Sequence, residues 1–248
     1  MRRRIFAANW KMNLGPTAAA AFVADFRNRW VPDEAEVVFF PSALAFAAVR
    51  SAAGDPPPFK FGVQNVYSAE RGAFTGENSA PMARDAGADY VLVGHSERRH
   101  VFGDTDADCA MKCAVVEKSG LTPLLCVGET LDERQRGETS SVVTRQLRAG
   151  LAGMERADCT TSVIAYEPVW AIGTGQNATP ADAAYTHGVL RQTLVELIGE
   201  RASEVRILYG GSVTAANVGQ ILAASNVDGV LVGGASLEVD SWLSICAA

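Results

Sequence analysis

Residues 161–167 read Thr161-Ser162-Val163-Ile164-Ala165-Tyr166-Glu167, a run that from Val163 to Tyr166 is apolar on successive positions and stops on a carboxylate. A strand with one wet face alternates apolar and polar residues. An unbroken apolar run suits a strand covered on both faces, as the strands of parallel sheets are. Comparable runs lie on either side of it, at 4–10, 36–41, 59–64, 89–94, 121–127, 205–210 and 228–233. Helix starts fall between them. Thr179-Pro180-Ala181-Asp182 supplies a cap residue, a first-turn proline and a first-turn acid, and Thr105 with Asp108 and Thr130 with Glu133 repeat the pattern of cap and acid. Gly54, Gly87, Gly120 and Gly199 follow helical stretches, where a left-handed stop is easiest for glycine. Eight strand–helix units without a linker predict an α/β fold, a closed (β/α)8 barrel with eight parallel strands and outer helices, as one catalytic domain over 1–248. The competing open sheet of the dinucleotide-binding kind is disfavoured, because no GxGxxG follows the first run.

Composition narrows the function. The chain has 248 residues, 48% apolar and 20% charged, with a net charge of −6. That balance is globular, and its sign argues against a nucleic-acid partner. Any anionic substrate must then be gripped by local features. Cys109, Cys113, Cys126, Cys159 and Cys246 form no CxxC pair and read as packed thiols of a reducing compartment rather than metal ligands. The basic opening at Arg2-Arg3-Arg4 is followed by too short an apolar run for a signal peptide, and no run reaches membrane-spanning length. The expectation is a cytoplasmic protein without a membrane or nucleic-acid partner.

In a barrel, chemistry gathers where strands end. Asn9 and Lys11 stand two apart at the end of the first run and are read as sharing one face of the strand; taken alone, Lys11 reads rather as a solvated strand-end charge. Gly94-His95-Ser96 places a histidine at a helix start, where the helix's positive end favours a neutral ring; the alternative is a hydrogen-bonded core histidine. His187 shares a helical face with Ala183, Leu190 and Leu194 and reads as packing. Glu167 ends its run in apolar company, which raises a carboxyl's pKa and makes a better base. Val169-Trp170-Ala171-Ile172-Gly173-Thr174-Gly175 after it is apolar with glycine hinges, as a lid would be. Gly210-Gly211-Ser212 and Gly233-Gly234, after the last two runs, offer backbone N–H groups to an anion.

Taken together, Asn9-Trp10-Lys11-Met12-Asn13, Gly94 to Arg99, Ala165 to Gly175, Tyr209 to Val213 and Leu231 to Leu237 resemble the triosephosphate isomerase family. The resemblance is collinear over the chain, and Ala165 to Gly175 is its most specific part. It implies interconversion of dihydroxyacetone phosphate and D-glyceraldehyde 3-phosphate, in glycolysis and gluconeogenesis, without metal or organic cofactor. It further implies Glu167 as the base, neutral His95 as electrophile and proton shuttle, and Lys11 and Asn9 at the developing oxyanion. The phosphate would be held by N–H groups of Gly173, Ser212, Gly233 and Gly234. Ser96 and Glu97 would support His95, Trp170 and Ile172 would belong to the lid, and Tyr209 with Ser212 would latch it. Gly72 to Glu77 resembles the family's dimer loop, with Thr75 inserted beside the partner's Asn9 and Glu97, which implies a homodimer.

Val63, Leu14 and Gln176-Asn177 depart from the commonest family wording, touching dimer strength and lid opening rather than chemistry. Two other readings compete. A Schiff-base aldolase would want a desolvated lysine in the barrel. A barrel kept only for binding would have no use for Glu167, His95 and Lys11 together.

Overall fold

The computed structural model describes residues 2–32, 35–154, 158–171 and 178–248. Eight strands, β1 (Ile5–Asn9), β2 (Glu36–Phe40), β3 (Lys60–Val63), β4 (Tyr90–Val93), β5 (Thr122–Val127), β6 (Val163–Tyr166), β7 (Arg206–Tyr209) and β8 (Gly229–Val232), follow one another in a closed parallel barrel. Closure comes from β1 pairing with β8, Ile5 opposite Gly229. Each strand falls within the apolar run expected for it. The predicted helix starts are true capping boxes: Thr105/Asp108, Thr130/Glu133 and Thr179/Asp182 exchange side-chain and backbone hydrogen bonds reciprocally. Gly54, Gly87, Gly120 and Gly199 all have positive φ.

Alternation along the strands divides the buried residues into two bodies. Ile5, Ala7, Val38, Phe40, Tyr90, Leu92, Leu124, Cys126, Val163, Ala165, Leu208 and Leu231 fill the barrel interior. Their neighbours, such as Phe6, Ala8, Phe39, Phe61, Ile164 and Tyr166, face the helices. The interior is full enough that Gly62 is required: a Cβ there would lie 2.1 Å from the Phe40 ring. At the end where strands begin, the inward positions are polar. Arg206 donates to Glu36 at 3.3 Å and to the Tyr90 hydroxyl at 3.2 Å, and that hydroxyl donates to Glu36.

At the other end the inward series runs on into the candidate site. Asn9 continues Ile5 and Ala7, and Glu167 continues Val163 and Ala165. Main-chain pairing outlasts the strands: Glu167 N–H donates to Val127 O at 2.8 Å, and Gly210 N–H to Tyr166 O at 2.7 Å. The side chain of Glu167 is therefore aimed by the same pleat that aims the core.

Candidate active site

Asn9, Lys11, His95 and Glu167 line one cavity of about 290 Å³ at the carboxyl end of the barrel, closed on its far side by Gly210, Gly211, Ser212, Gly233 and Gly234. Lys11 reaches it by a different route from the one expected. It lies beyond β1, in a left-handed turn with φ 49°. Such a conformation costs a non-glycine residue about 1 kcal/mol and needs outside support. Three bonds supply it. Its N–H donates to Asn9 Oδ1 at 3.1 Å, its carbonyl accepts Gln64 Nε2 at 2.8 Å, and Nζ pairs with Glu97 Oε1 at 2.8 Å. Trp10, between Asn9 and Lys11, faces the helices and donates to Ser236 O at 3.0 Å, which fastens this turn to the loop after β8.

His95 follows Gly94, whose φ of 66° turns the chain out of the strand and into the helix Ser96–His100. Its Nδ1 accepts the N–H of Glu97 at 3.2 Å, and Nε2 lies 3.1 Å from Glu167 Oε1. An N–H cannot accept a proton, so Nδ1 is the bare nitrogen and the ring's hydrogen sits on Nε2, facing the carboxylate. Burial pushes the ring's pKa down, but the Glu167 carboxylate outweighs it and the net direction is up. The expectation of a lowered value counted the helix's positive end but not an acid in direct contact.

Glu167 is 3% exposed. Burial pushes its carboxyl up, as anticipated, yet the His95 ring, the Ser96 N–H at 2.8 Å and Lys11 together draw it below the ordinary glutamate value. In this arrangement it is a stabilised carboxylate, not a raised one. The sequence reading named the apolar surroundings correctly and missed the donors inside them.

The loops after β7 and β8 form the far wall of the cavity. Ser236 and Leu237 donate to the carbonyls of Gly233 and Gly234, at 2.9 and 3.1 Å, in a short 3-10 turn. The first N–H groups of such a turn are not used by the turn itself. The loop of Ser212 is stapled by Asn217, which accepts Thr214 N–H at 2.8 Å and donates to Ser212 O at 3.1 Å.

A family model for triosephosphate isomerase matches residues 4–248. The chain belongs to the triosephosphate isomerase family. Curated relatives of that name include the protein of Moorella thermoacetica, 46% identical over 245 residues, 99% of this chain and 98% of the relative. That of Thermus thermophilus is 46% identical over 246 residues, again 99% and 98%. That of Bdellovibrio bacteriovorus is 49% identical over 247 residues, 99% of each. As a member of the triosephosphate isomerase family the chain is an enzyme, an intramolecular isomerase acting on a phosphorylated triose.

The other described residues expected from the triosephosphate isomerase resemblance lie outside the lining of this cavity. Ser96 contributes its main chain to Glu167, and Glu97 holds both Lys11 and His95. Trp170 lies in a short turn, Val169–Ala171, and its indole donates at 2.9 Å to Glu129, a fully buried carboxylate that also accepts the Tyr166 hydroxyl at 3.1 Å. Tyr209 faces outward over Gly211, where a Cβ would meet its hydroxyl at 2.2 Å, and that hydroxyl has no hydrogen-bond partner among the described residues. Thr75 is exposed, away from the cavity, on the segment where Gly72 and Gly76 have positive φ. Ile172, Gly173 and Gln176-Asn177 lie outside the described residues. Two participants went unread. Glu129 precedes a helix cap and looks like an ordinary loop acid. Cys126 is the inward residue after Leu124 on β5; burial first, and then the adjacent Glu167 carboxylate, push its thiol pKa well up. Counting inward positions along β5 would have found Cys126.

Proposed function

We propose that the protein interconverts dihydroxyacetone phosphate and D-glyceraldehyde 3-phosphate, with Glu167 moving a proton between adjacent carbons through an enediol(ate), and that residues 1–248 act as one catalytic domain. The convergence of Asn9, Lys11, His95 and Glu167 on a cavity backed by two glycine loops carries this reading. A carbonyl oxygen beside His95 Nε2 would receive the hydrogen now directed at Glu167. Once a substrate separates the two residues, the upward pull of the carboxylate on the ring is gone, and a neutral imidazole remains as hydrogen-bond donor. Lys11 places a cation, and Asn9 an amide, at the oxygens where negative charge develops. The N–H groups of Ser212, Gly233 and Gly234, with Gly173 from the lid, would grip the phosphate without a basic surface, consistent with the net charge of −6. Tyr209 and Ser212 would latch the lid, for which the buried Tyr209 hydroxyl, without a partner among the described residues, is support.

Schiff-base chemistry fits less well. Lys11 Nζ is matched to Glu97 at 2.8 Å, whereas an imine-forming lysine must be an uncharged amine in a desolvated pocket. A coupled assay in both directions tests the isomerase reading. Turnover inhibited competitively by inorganic phosphate is expected; absence of turnover, or borohydride trapping of substrate on Lys11, would sink it.

We also propose a cytoplasmic homodimer. A second cleft, of about 230 Å³, opens on the far side of Asn9, Lys11, His95 and Glu97, with Phe102 and Met12 at its walls. Met12 is 96% exposed and Phe102 65%, an apolar surface beside the cavity that a partner would cover. The Thr75 loop of a second copy would fill it. Among the described residues no helix is long and apolar enough to cross a membrane. A fully active monomer in sedimentation velocity would overturn the dimer.

A further inference from the structure

The helix Thr139–Leu151 packs on β5 through Val143, Gln146, Leu147, Gly150 and Leu151, the i, i+3, i+4, i+7, i+8 stripe of an amphipathic helix. Four of these are apolar or glycine, and the fifth, Gln146, is a primary amide only 5% exposed. A buried amide is costly unless every polar atom is engaged. Its Oε1 accepts Gly128 N–H at 2.7 Å, and its Nε2 donates to Gly128 O at 3.2 Å. Gly150 lets the helix come close enough for this, since a Cβ there would lie 2.5 Å from Leu125 Cδ2.

Gly128 is where this matters. The residues before and after it form the bed of the catalytic strand end: Val127 O accepts Glu167 N–H at 2.8 Å, and Glu129 O accepts Val169 N–H at 3.1 Å. Glu129 also accepts the Trp170 indole. Gly128 itself lies against the Glu167 carbonyl so tightly that a Cβ would stand 1.7 Å from it. Its own N–H and C=O point the other way, into the helix, and Gln146 takes both. A donor and an acceptor on one residue are both satisfied by an amide, by no hydrocarbon, and by a carboxyl group only when it is protonated.

We propose that Gln146 is a positioning residue for the base: by holding the Gly128 peptide from behind, it fixes the bed on which Glu167 and the stem of the lid rest. This rests on the isomerase reading given above. Gln146→Met keeps the volume and removes both bonds. It is expected to lower kcat at least 10-fold while the inhibition constant for inorganic phosphate stays within twofold, because the glycine loops are untouched. Burial should raise the carboxyl introduced by Gln146→Glu, so this variant is expected to approach wild-type kcat toward the acid end of the stable range, where the neutral acid can donate to Gly128 O, and to lose it as pH rises, whereas the Met variant stays low throughout. The indole 15N–1H signal of Trp170, identified by Trp170→Phe, should shift in Gln146→Met while those of Trp10 and Trp242 do not. That signal is independent of turnover, so an inactive wild type would count against the isomerase reading and leave this one open to the spectrum. A folded Gln146→Met with kcat within twofold of wild type, or an unmoved Trp170 signal, would overturn the proposal.

Discussion

The carboxylate of Glu167 rests on the first N–H of the helix after β4: Ser96 N donates to its Oε2 at 2.8 Å. The other oxygen faces His95 Nε2 at 3.1 Å. The proposed base is thus held by the same turn that presents the proposed electrophile, and each shifts the other's proton affinity. To act on a carbon, the carboxylate must exchange these donors for a place over the substrate.

That placement is a matter of length. Glu167→Asp shortens the side chain and draws its carboxylate back from the reacting carbon by roughly 1 Å, so turnover should fall about 10²-fold or more. Binding of inorganic phosphate should persist, since none of its proposed donors changes. Full activity in Glu167→Asp would refute the base assignment.

Lys11 is expected to act by charge. An ammonium about 4 Å from a developing negative charge is worth roughly 4 kcal/mol at an intermediate dielectric, about 10³-fold in kcat/KM. Lys11→Met should show a loss of that order with the fold retained. A loss under 10-fold would reduce Lys11 to a surface charge.

Gly62 and Phe40 form a testable pair in the barrel interior. Gly62→Ala would place a methyl 2.1 Å from the Phe40 ring, and overpacking of this kind costs roughly 1–3 kcal/mol. Phe40→Leu frees space at the same point. The double variant should therefore unfold at higher denaturant than the sum of the single effects predicts, and strict additivity would contradict the packing described.

His187 supplies a pH dependence. It is fully buried, its Nδ1 lies 2.9 Å from Asn226 O, and desolvation lowers its pKa to about 4. Below the ordinary value of about 6.5 the unfolded chain takes up a proton that the folded chain refuses. Stability is therefore fully present above pH 6.5 and declines as pH falls toward 4, by roughly 3 kcal/mol over that window. Urea unfolding of wild type and His187→Gln across it should show the steeper decline in wild type. Parallel curves would remove His187 from the account.

Much of this was legible in the residues. Apolar runs at successive positions gave the eight strands, because a strand covered on both faces leaves no polar alternation. Thr179-Pro180-Ala181-Asp182 gave a helix start, because capping is chemistry between near neighbours. Lys11 was placed near Asn9, but for the wrong reason: strand periodicity was assumed where a left-handed turn, held by Gln64 and Glu97, does the work. The directions in which the Glu167 and His95 pKa values move were misjudged because they depend on contacts between residues 71 and 72 positions apart in sequence. Gln146 was invisible for the same reason; on a helix it looks like any polar residue until its neighbour across the barrel wall is known.

The pleat that aims Glu167 inward makes the enzyme sensitive to counting. Adding or removing one residue between Val163 and Glu167 would leave β6 with a full set of backbone partners, yet turn the carboxylate toward the helices. The loops beyond the strands tolerate changes in length that the strands themselves do not. The chemistry of this barrel is thus encoded partly as arithmetic, in how many residues lie between the core and the carboxylate.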